Sequence, residues 1–400
     1  CTDFPNANQQ DQDRDGVGDA CDVCQYAFDP AQVDGDGDGE GEACAAVVGA
    51  SGMSAAQIIQ VPGGPRKLAA GDWDGDGTVD LLTTLSSPLN ASGAIAWLPG
   101  HVGGVSPWGV PIVQDALAQP SSLALADLNR DGSLDLAVGH QELGIVRIYT
   151  WGGGSGVTTM IDLAVPDYAE WVQAGDLDGD GWLDLAVSAT ASDSMTILIN
   201  QGDWTFEQHS LAVGPGIADP RLSDSHKDRL NLLVLSTDLD RVLPFAGIGD
   251  GTFSPETAVQ LPFTPMEQAW GYIDSDPWPD LVVTNYNQAK AQVILADPGQ
   301  AGRLIAHGDP LEPKSPSAPI LRDITGDGIT DLAVLHLTHE SASVWAGDGE
   351  GGFTPAPGLS DIPVGPGPSD WLLMDKNGDG RLDWVVALPG SNEIRVFYGE

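Results

Sequence analysis

Residues 72–80 read DWDGDGTVD, and the pattern returns as DLNRDGSLD at 127–135, DLDGDGWLD at 176–184, DITGDGITD at 323–331 and DKNGDGRLD at 375–383. Two worn copies, SDSHKDRLN at 223–231 and YIDSDPWPD at 272–280, keep the spacing, so the ninth positions fall at 80, 135, 184, 231, 280, 331 and 383. Each copy runs into a short apolar stretch such as LLTTL, LAVGH, LLVLS, LVVTN or WVVAL. These runs are too short for helices and are bounded by turn residues, which is the signature of buried strands. A second apolar stretch, a Gly-rich turn, a third stretch and a Pro-rich connection complete every repeat. Four strands of about six residues plus turns account for the period. One such unit cannot bury its own faces, so the repeats imply an all-β, seven-bladed β-propeller over residues 56–400. The unmatched stretch AQIIQV at 56–61 precedes the first loop, while the last repeat stops at Glu400 without an outer strand. Residues 56–61 are therefore expected to complete the last blade and remove an exposed edge.

The loops carry the chemistry. Carboxylates at alternating positions around a tight turn repel one another unless a cation holds them, and calcium, a hard ion that takes oxygen ligands, suits them. The expected ligands are Asp72, Asp74, Asp76, Thr78 and Asp80 in the first loop, and Asp127, Asn129, Asp131, Ser133 and Asp135 in the second. Asp176, Asp178, Asp180, Trp182 and Asp184 follow in the third, then Asp323, Thr325, Asp327, Ile329 and Asp331, and finally Asp375, Asn377, Asp379, Arg381 and Asp383. Position seven in each set would offer its backbone carbonyl. Glycine at position six permits the left-handed turn. An EF-hand is excluded, because position twelve is Thr83, Val138, Val187, Val334 or Val386, inside a strand. In the fourth copy Ser223, Ser225 and Lys227 replace the ligands, and the lysine is expected to stand in for the ion. In the fifth, Asp274, Asp276 and Asp280 remain, but Tyr272 takes position one and Pro277 position six. Five to six calcium ions are thus expected in the propeller. With these loops the chain resembles the FG-GAP/VCBS propellers, integrin α-subunit heads among them, a resemblance that implies a calcium-binding adhesion or recognition role.

Residues 1–45 differ in kind, being acidic, poor in apolar side chains and home to all four cysteines. Such a segment cannot build its own core. Cys1, Cys21, Cys24 and Cys44 bound two units; three pairings are open, and the spacing favours Cys1 with Cys21 and Cys24 with Cys44. The pattern resembles thrombospondin type 3 repeats, which implies calcium ligands at Asp11, Asp13, Asp15 and Asp19 in the first unit. Asp34, Asp36, Asp38 and Glu42 match in the second. Hard carboxylate neighbours disfavour a zinc or redox site at the C-x-x-C. Disulfides with calcium loops point to a secreted or cell-surface protein. Residues 46–55 are expected to be a linker.

With 16 Lys and Arg against 58 Asp and Glu, the formal charge is -42, which argues against nucleic acid or anionic membranes as partners. No apolar run is long enough to insert in a bilayer. The excess of Arg over Lys in an Ala- and Gly-rich chain hints at a bacterial source. His336, His339 and Glu340 form the one histidine cluster, expected to be a surface strand end rather than a zinc site. The connections entering each inner strand should gather on the face away from the acidic loops, where Tyr168, Trp171, Trp270 and Trp371 are candidates for a partner face. An extracellular protein or glycan ligand without turnover is the expected function, and a propeller-type polysaccharide lyase or hydrolase, or a lectin, is the alternative.

Overall fold

The computed structural model describes residues 50–400 apart from 87–92, 102–107, 152–156, 167, 189–191, 227–228, 298 and 300–302. The cysteine-bearing segment with all its candidate ligands, and Lys227, lie outside the described residues.

The chain opens with β1 (Gln57–Gln60) and then lays down antiparallel sheets in sequence. Blade 1 is β2 (Gly64–Gly71), β3 (Asp80–Ser86), β4 (Ala94–Leu98) and β5 (Ile112–Asp115). Blade 2 is β6 (Pro120–Ala126), β7 (Asp135–His140), β8 (Ile145–Trp151) and β9 (Val157–Ala164). Blade 3 is β10 (Trp171–Gly175), β11 (Asp184–Ser188), β12 (Ser194–Asn200) and β13 (Phe206–Ala212). In blade 4, β14 (Ile217–His226), β15 (Arg229–Ser236) and β16 (Arg241–Gly247) carry two short outer pieces, β17 (Phe253–Pro255) and β18 (Val259–Gln260). Blade 5 is β19 (Glu267–Gly271), β20 (Asp280–Asn285), β21 (Lys290–Ala296) and β22 (Leu304–Leu311). Blade 6 repeats the split edge: β23 (Pro316–Arg322), β24 (Asp331–His336), β25 (Ser341–Gly347), then β26 (Phe353–Pro355) and β27 (Ile362–Pro363). Blade 7 has β28 (Asp370–Met374), β29 (Asp383–Leu388) and β30 (Glu393–Phe397), and β1 pairs with β30 as its outermost strand. The described residues contain no helix.

Burial explains why the second strands read as unbroken apolar runs. β7, β20, β24 and β29 are buried at every position, because each faces a neighbouring blade on both sides. Each junction between consecutive blades has its own apolar cluster. Leu82, Ile95, Leu136 and Tyr149 join blades 1 and 2, for example, while Leu81, Leu98, Ile394 and Val396 join 7 and 1. The core is a closed ring of such junctions.

Closure extends beyond β1. Ser51 N–H donates to Glu400 O (2.6 Å), Glu400 N–H to Gly52 O (2.9 Å), and Ser54 N–H to Tyr398 O (2.8 Å). Ala50 is buried, and its N–H reaches Ile324 O in blade 6. Residues 46–49 of the expected linker lie outside the described residues, and from Ala50 onward the chain pairs with the ring, satisfying backbone groups at the carboxyl-terminal strand end.

Candidate metal loops and axial cavity

All the acidic loops join an inner strand to the second strand of the same blade, so they gather on one face of the ring. Their fold is set by carboxylates accepting backbone N–H groups. Position one accepts from the glycine at position six, as Asp72 from Gly77, Asp127 from Gly132, Asp176 from Gly181, Asp323 from Gly328 and Asp375 from Gly380, at 2.7–2.9 Å. Position five accepts from position seven: Thr78, Ser133, Trp182, Ile329 and Arg381 donate to Asp76, Asp131, Asp180, Asp327 and Asp379 at 2.7–2.9 Å. The position-six glycines have φ between 79° and 84°, a conformation that side chains resist.

Position nine does more than complete a ligand set. Asp80, Asp184, Asp280, Asp331 and Asp383 each accept an N–H from position two of their own loop at 2.7–3.0 Å. Each also accepts one from the end of the blade's third strand, donated by Gly100, Asn200, Ala296, Gly347 or Gly399 at 2.7–3.0 Å. This carboxylate, the first residue of the second strand, therefore ties the loop to the end of the third. It is buried in every blade where it is Asp, and burial pushes the carboxyl up despite those donors: Asp80 and Asp280 to about 6, Asp135, Asp184 and Asp383 to about 7. A buried anion held this way is expensive unless a positive charge lies beside it.

The donor sets fit a hard cation. Ligand oxygens of Asp72, Asp74 and Asp80 lie within 4.8 Å of one another, as do those of Asp176, Asp178 and Asp184 and those of Asp274, Asp276 and Asp280. The other loops have Asn129, Thr325 or Asn377 at position three, an oxygen without the charge. Two buried oxygens in these loops lack any partner, Thr325 Oγ1 and Asp276 Oδ2. Buried polar atoms are rarely left so, and both sit where a metal ligand belongs. Several of these acidic groups could hold a metal ion, and an all-oxygen set selects calcium-like or magnesium-like ions over softer metals.

The worn loops show which parts matter. In the fifth, the position-one carboxylate and the position-six N–H are lost together, to Tyr272 and Pro277, while Asp274 and Asp276 still accept the N–H groups of Asp276 and Trp278. In the fourth, Asn231 keeps the ninth-position staple, accepting Gly247 N–H at 3.1 Å, but brings no charge. Neighbouring loops also grip one another: Arg130 lies 4.5 Å over the Trp182 ring, and Lys376 lies 4.9 Å over Trp108 and donates to Val79 O.

On the opposite face, a cavity of about 1100 Å³ opens among the starts of the inner strands. Its wall is held by a relay the sequence did not disclose. Gln173 of β10 accepts Leu222 N–H of β14 (2.9 Å), Asp219 of β14 accepts Gln268 N–H of β19 (2.7 Å), and Glu267 of β19 accepts Ala318 N–H of β23 (2.6 Å). Asp370 of β28 makes the same kind of contact from blade 7 to blade 1, accepting Leu68 N–H of β2 (2.9 Å). Register shifts in β2, β14 and β23, near Pro65, Pro220 and Pro319, lie beside three of the four donors, Leu68, Leu222 and Ala318, whereas β19, which carries Gln268, pairs with β20 in unbroken register. The prolines in GGPRKL, IADPRL and PSAPIL were the available signal.

The aromatic candidates divide. Trp171 and Trp270 are half-buried and line the cavity. Trp371 also borders the cavity, but it is only 2% exposed, packs edge-on against Trp384 (5.3 Å) and donates to Ala318 O (2.7 Å), so its indole lies mainly in the junction of blades 6 and 7. Tyr168 is exposed but does not line the cavity. His336 is not a surface residue either; it is 2% exposed, contacts Lys314 O, and hydrogen-bonds Ser343 Oγ at 2.8 Å. His140 in blade 2 occupies the equivalent position, against Ala118 O, and burial lowers the pKa of both imidazoles.

Known proteins bear on the fold. The FG-GAP-like repeat family matches residues 72–138, 127–187 and 323–386. No curated protein matches the chain. Among solved structures, a putative 6-phosphogluconolactonase from Bacteroides uniformis is similar over 79% of this chain and 91% of its own, at 14% identity and a TM-score of 0.59. BBS1N from its complex with ARL6DN is similar over 88% and 98%, at 11% identity and a TM-score of 0.58. Hydrazine synthase of Kuenenia stuttgartiensis is similar over 84% and 96%, at 16% identity and a TM-score of 0.56. Identities this low speak to the fold alone. The chain is an FG-GAP-repeat propeller of seven blades.

Proposed function

We propose that this FG-GAP-repeat propeller is an extracellular, non-enzymatic recognition module, stiffened by calcium on one face and taking its ligand in the axial cavity on the other. The observation that carries it is the separation of the two faces: acidic loops at one end of the inner strands, and at the other a cavity of about 1100 Å³ flanked by Trp171 and Trp270. Cavities of this size with aromatic walls and a few polar groups are the usual form of a ligand site. Calcium would be held by the position one, three, five and nine residues of loops 1, 2, 3, 6 and 7, and by Asp274, Asp276 and Asp280 in the fifth. Bound there, the ion supplies charge neutralisation. The cysteine-bearing amino-terminal segment and its acidic pattern support an extracellular setting.

The test is an array of glycans and extracellular proteins, probed with the full chain with and without chelator. Binding that is lost in W270A and W171A but kept when Arg130, on the loop face, is changed to Gln supports recognition in the cavity. Binding indifferent to both tryptophans would refute it.

One observation favours an enzymatic reading instead. Glu267 lines the cavity, and its burial, only partly offset by Lys67, holds the carboxyl above its ordinary range, as a general acid requires. Release of polysaccharide fragments by the wild type, abolished in E267Q, would establish it.

A further inference from the structure

The charges at the cavity mouth are arranged unlike those of the rest of the molecule. The cavity is lined by four of the 16 Lys and Arg side chains, Arg66, Lys67, Arg221 and Arg322, but by only four of the 58 Asp and Glu. In a chain of charge -42, this is the place where the two signs balance.

The balance is not symmetrical in space. The carboxylates sit in the wall: the side chains of Asp219 and Asp370 are 8% and 17% accessible, and each spends one oxygen on a backbone N–H of the next blade. Their cations stand further into the cavity, with Arg221 37% and Lys67 40% accessible. Arg221 lies 3.0 Å from Asp219, and Lys67 is a loose 3.9 Å from Asp370. Arg66 is exposed and has no ion-pair partner among the described residues. The strand bulges produce this arrangement, because the register shift between Pro65 and Leu68 takes Arg66 and Lys67 out of the ladder, and that between Ala218 and Arg221 does so for Asp219 and Pro220. The most exposed charged groups of the cavity are thus positive, with Glu170 and Glu267 half-buried beside them, although the protein as a whole is strongly negative. Asp370, and less so Glu267 and Asp219, hold the Lys67 ammonium above its ordinary pKa, so it is charged at any physiological pH.

We infer that the cavity mouth binds an acidic saccharide, its uronate carboxylate on Arg66, Lys67 and Arg221 and its ring against Trp171 or Trp270. The inference rests on the recognition role proposed above and names its ligand class. Arginine forks match carboxylates, aromatic faces take sugar rings, and the volume admits several residues of a chain rather than a lone anion. Free oligosaccharides and polymer ends share this chemistry.

The experiment is calorimetric titration of the full chain, in calcium, with hyaluronan fragments, which carry glucuronate, and with the same fragments methyl-esterified so that the carboxylate charge is gone. Binding of the acid form is expected, weakened about tenfold or more by esterification and by R221Q or K67M. R66Q, which breaks no ion pair, should weaken it severalfold and keeps the test valid if the other variants fold poorly. Equal binding of acid and ester, or tighter binding of polyglutamate than of either, would overturn the inference. If the ester binds equally and W270A abolishes that binding, recognition in the cavity survives and only the acidic ligand class falls.

Discussion

The ninth position of each loop shows how one side chain can serve two roles that substitution separates. Asp184 accepts Asn200 N–H and Leu177 N–H, so D184A should leave two buried donors unpaired, at about 1–3 kcal/mol each. D184N keeps one acceptor and removes the charge, as Asn231 does naturally, and should lose one bound ion with a smaller fall in stability in chelator. Chemical denaturation with native mass spectrometry distinguishes the two. Thr325 offers the complementary case. Its Oγ1 has no partner, so T325V should leave stability within about 1 kcal/mol in chelator yet weaken calcium binding at the sixth loop. His336 sets a pH dependence. Burial lowers its folded pKa below the 6.5 usual for an imidazole, so the unfolded chain binds the proton more readily. The associated stability is full above 6.5 and is lost as pH falls below it. H336N should therefore lose less melting temperature than the wild type between pH 7 and 5, in parallel scans with calcium fixed; a steeper loss would refute the assignment. The alternating acids were legible because ligand spacing repeats locally, whereas His336 was misplaced because a strand end gives no local sign of which carbonyl will cover it.

At the scale of elements, loops and second strands could be read from sequence, since both follow from short-range pattern. The relay could not, because Gln173, Asp219 and Glu267 reach donors 49 to 51 positions away and Asp370 reaches one 302 positions away, residues that meet only once the ring has formed. The closing strand was legible by elimination, as an apolar stretch without a repeat of its own. β1 pairs Gln57, Ile58, Ile59 and Gln60 with Val396, Arg395, Ile394 and Glu393 and covers what would otherwise be a free edge. Deleting residues 56–61 should lower the melting temperature on the order of 10 °C, through loss of several kcal/mol at the junction of first and last blades. A negligible change in a thermal scan would mean that the ring does not depend on this strand.

For the whole molecule, the central matter is how a chain of charge -42 folds its acidic loops onto one face. Buried carboxyls near neutral pKa, unpartnered Thr325 and Asp276 oxygens, and carboxylates within 4.8 Å of one another all ask for a divalent cation. At a dissociation constant of roughly 0.1–1 mM, as in extracellular calcium modules, a hundredfold excess adds about 2.7 kcal/mol per site. Chelation should then lower the melting temperature in one cooperative step, since adjacent blades share every apolar cluster. The most direct measurement is the number of calcium ions that native mass spectrometry finds on the purified full chain and that chelator removes. At least five should be found, one for each intact loop, with a sixth for Asp274, Asp276 and Asp280 and any further ions from the amino-terminal segment; fewer than two would contradict a metal-fastened ring.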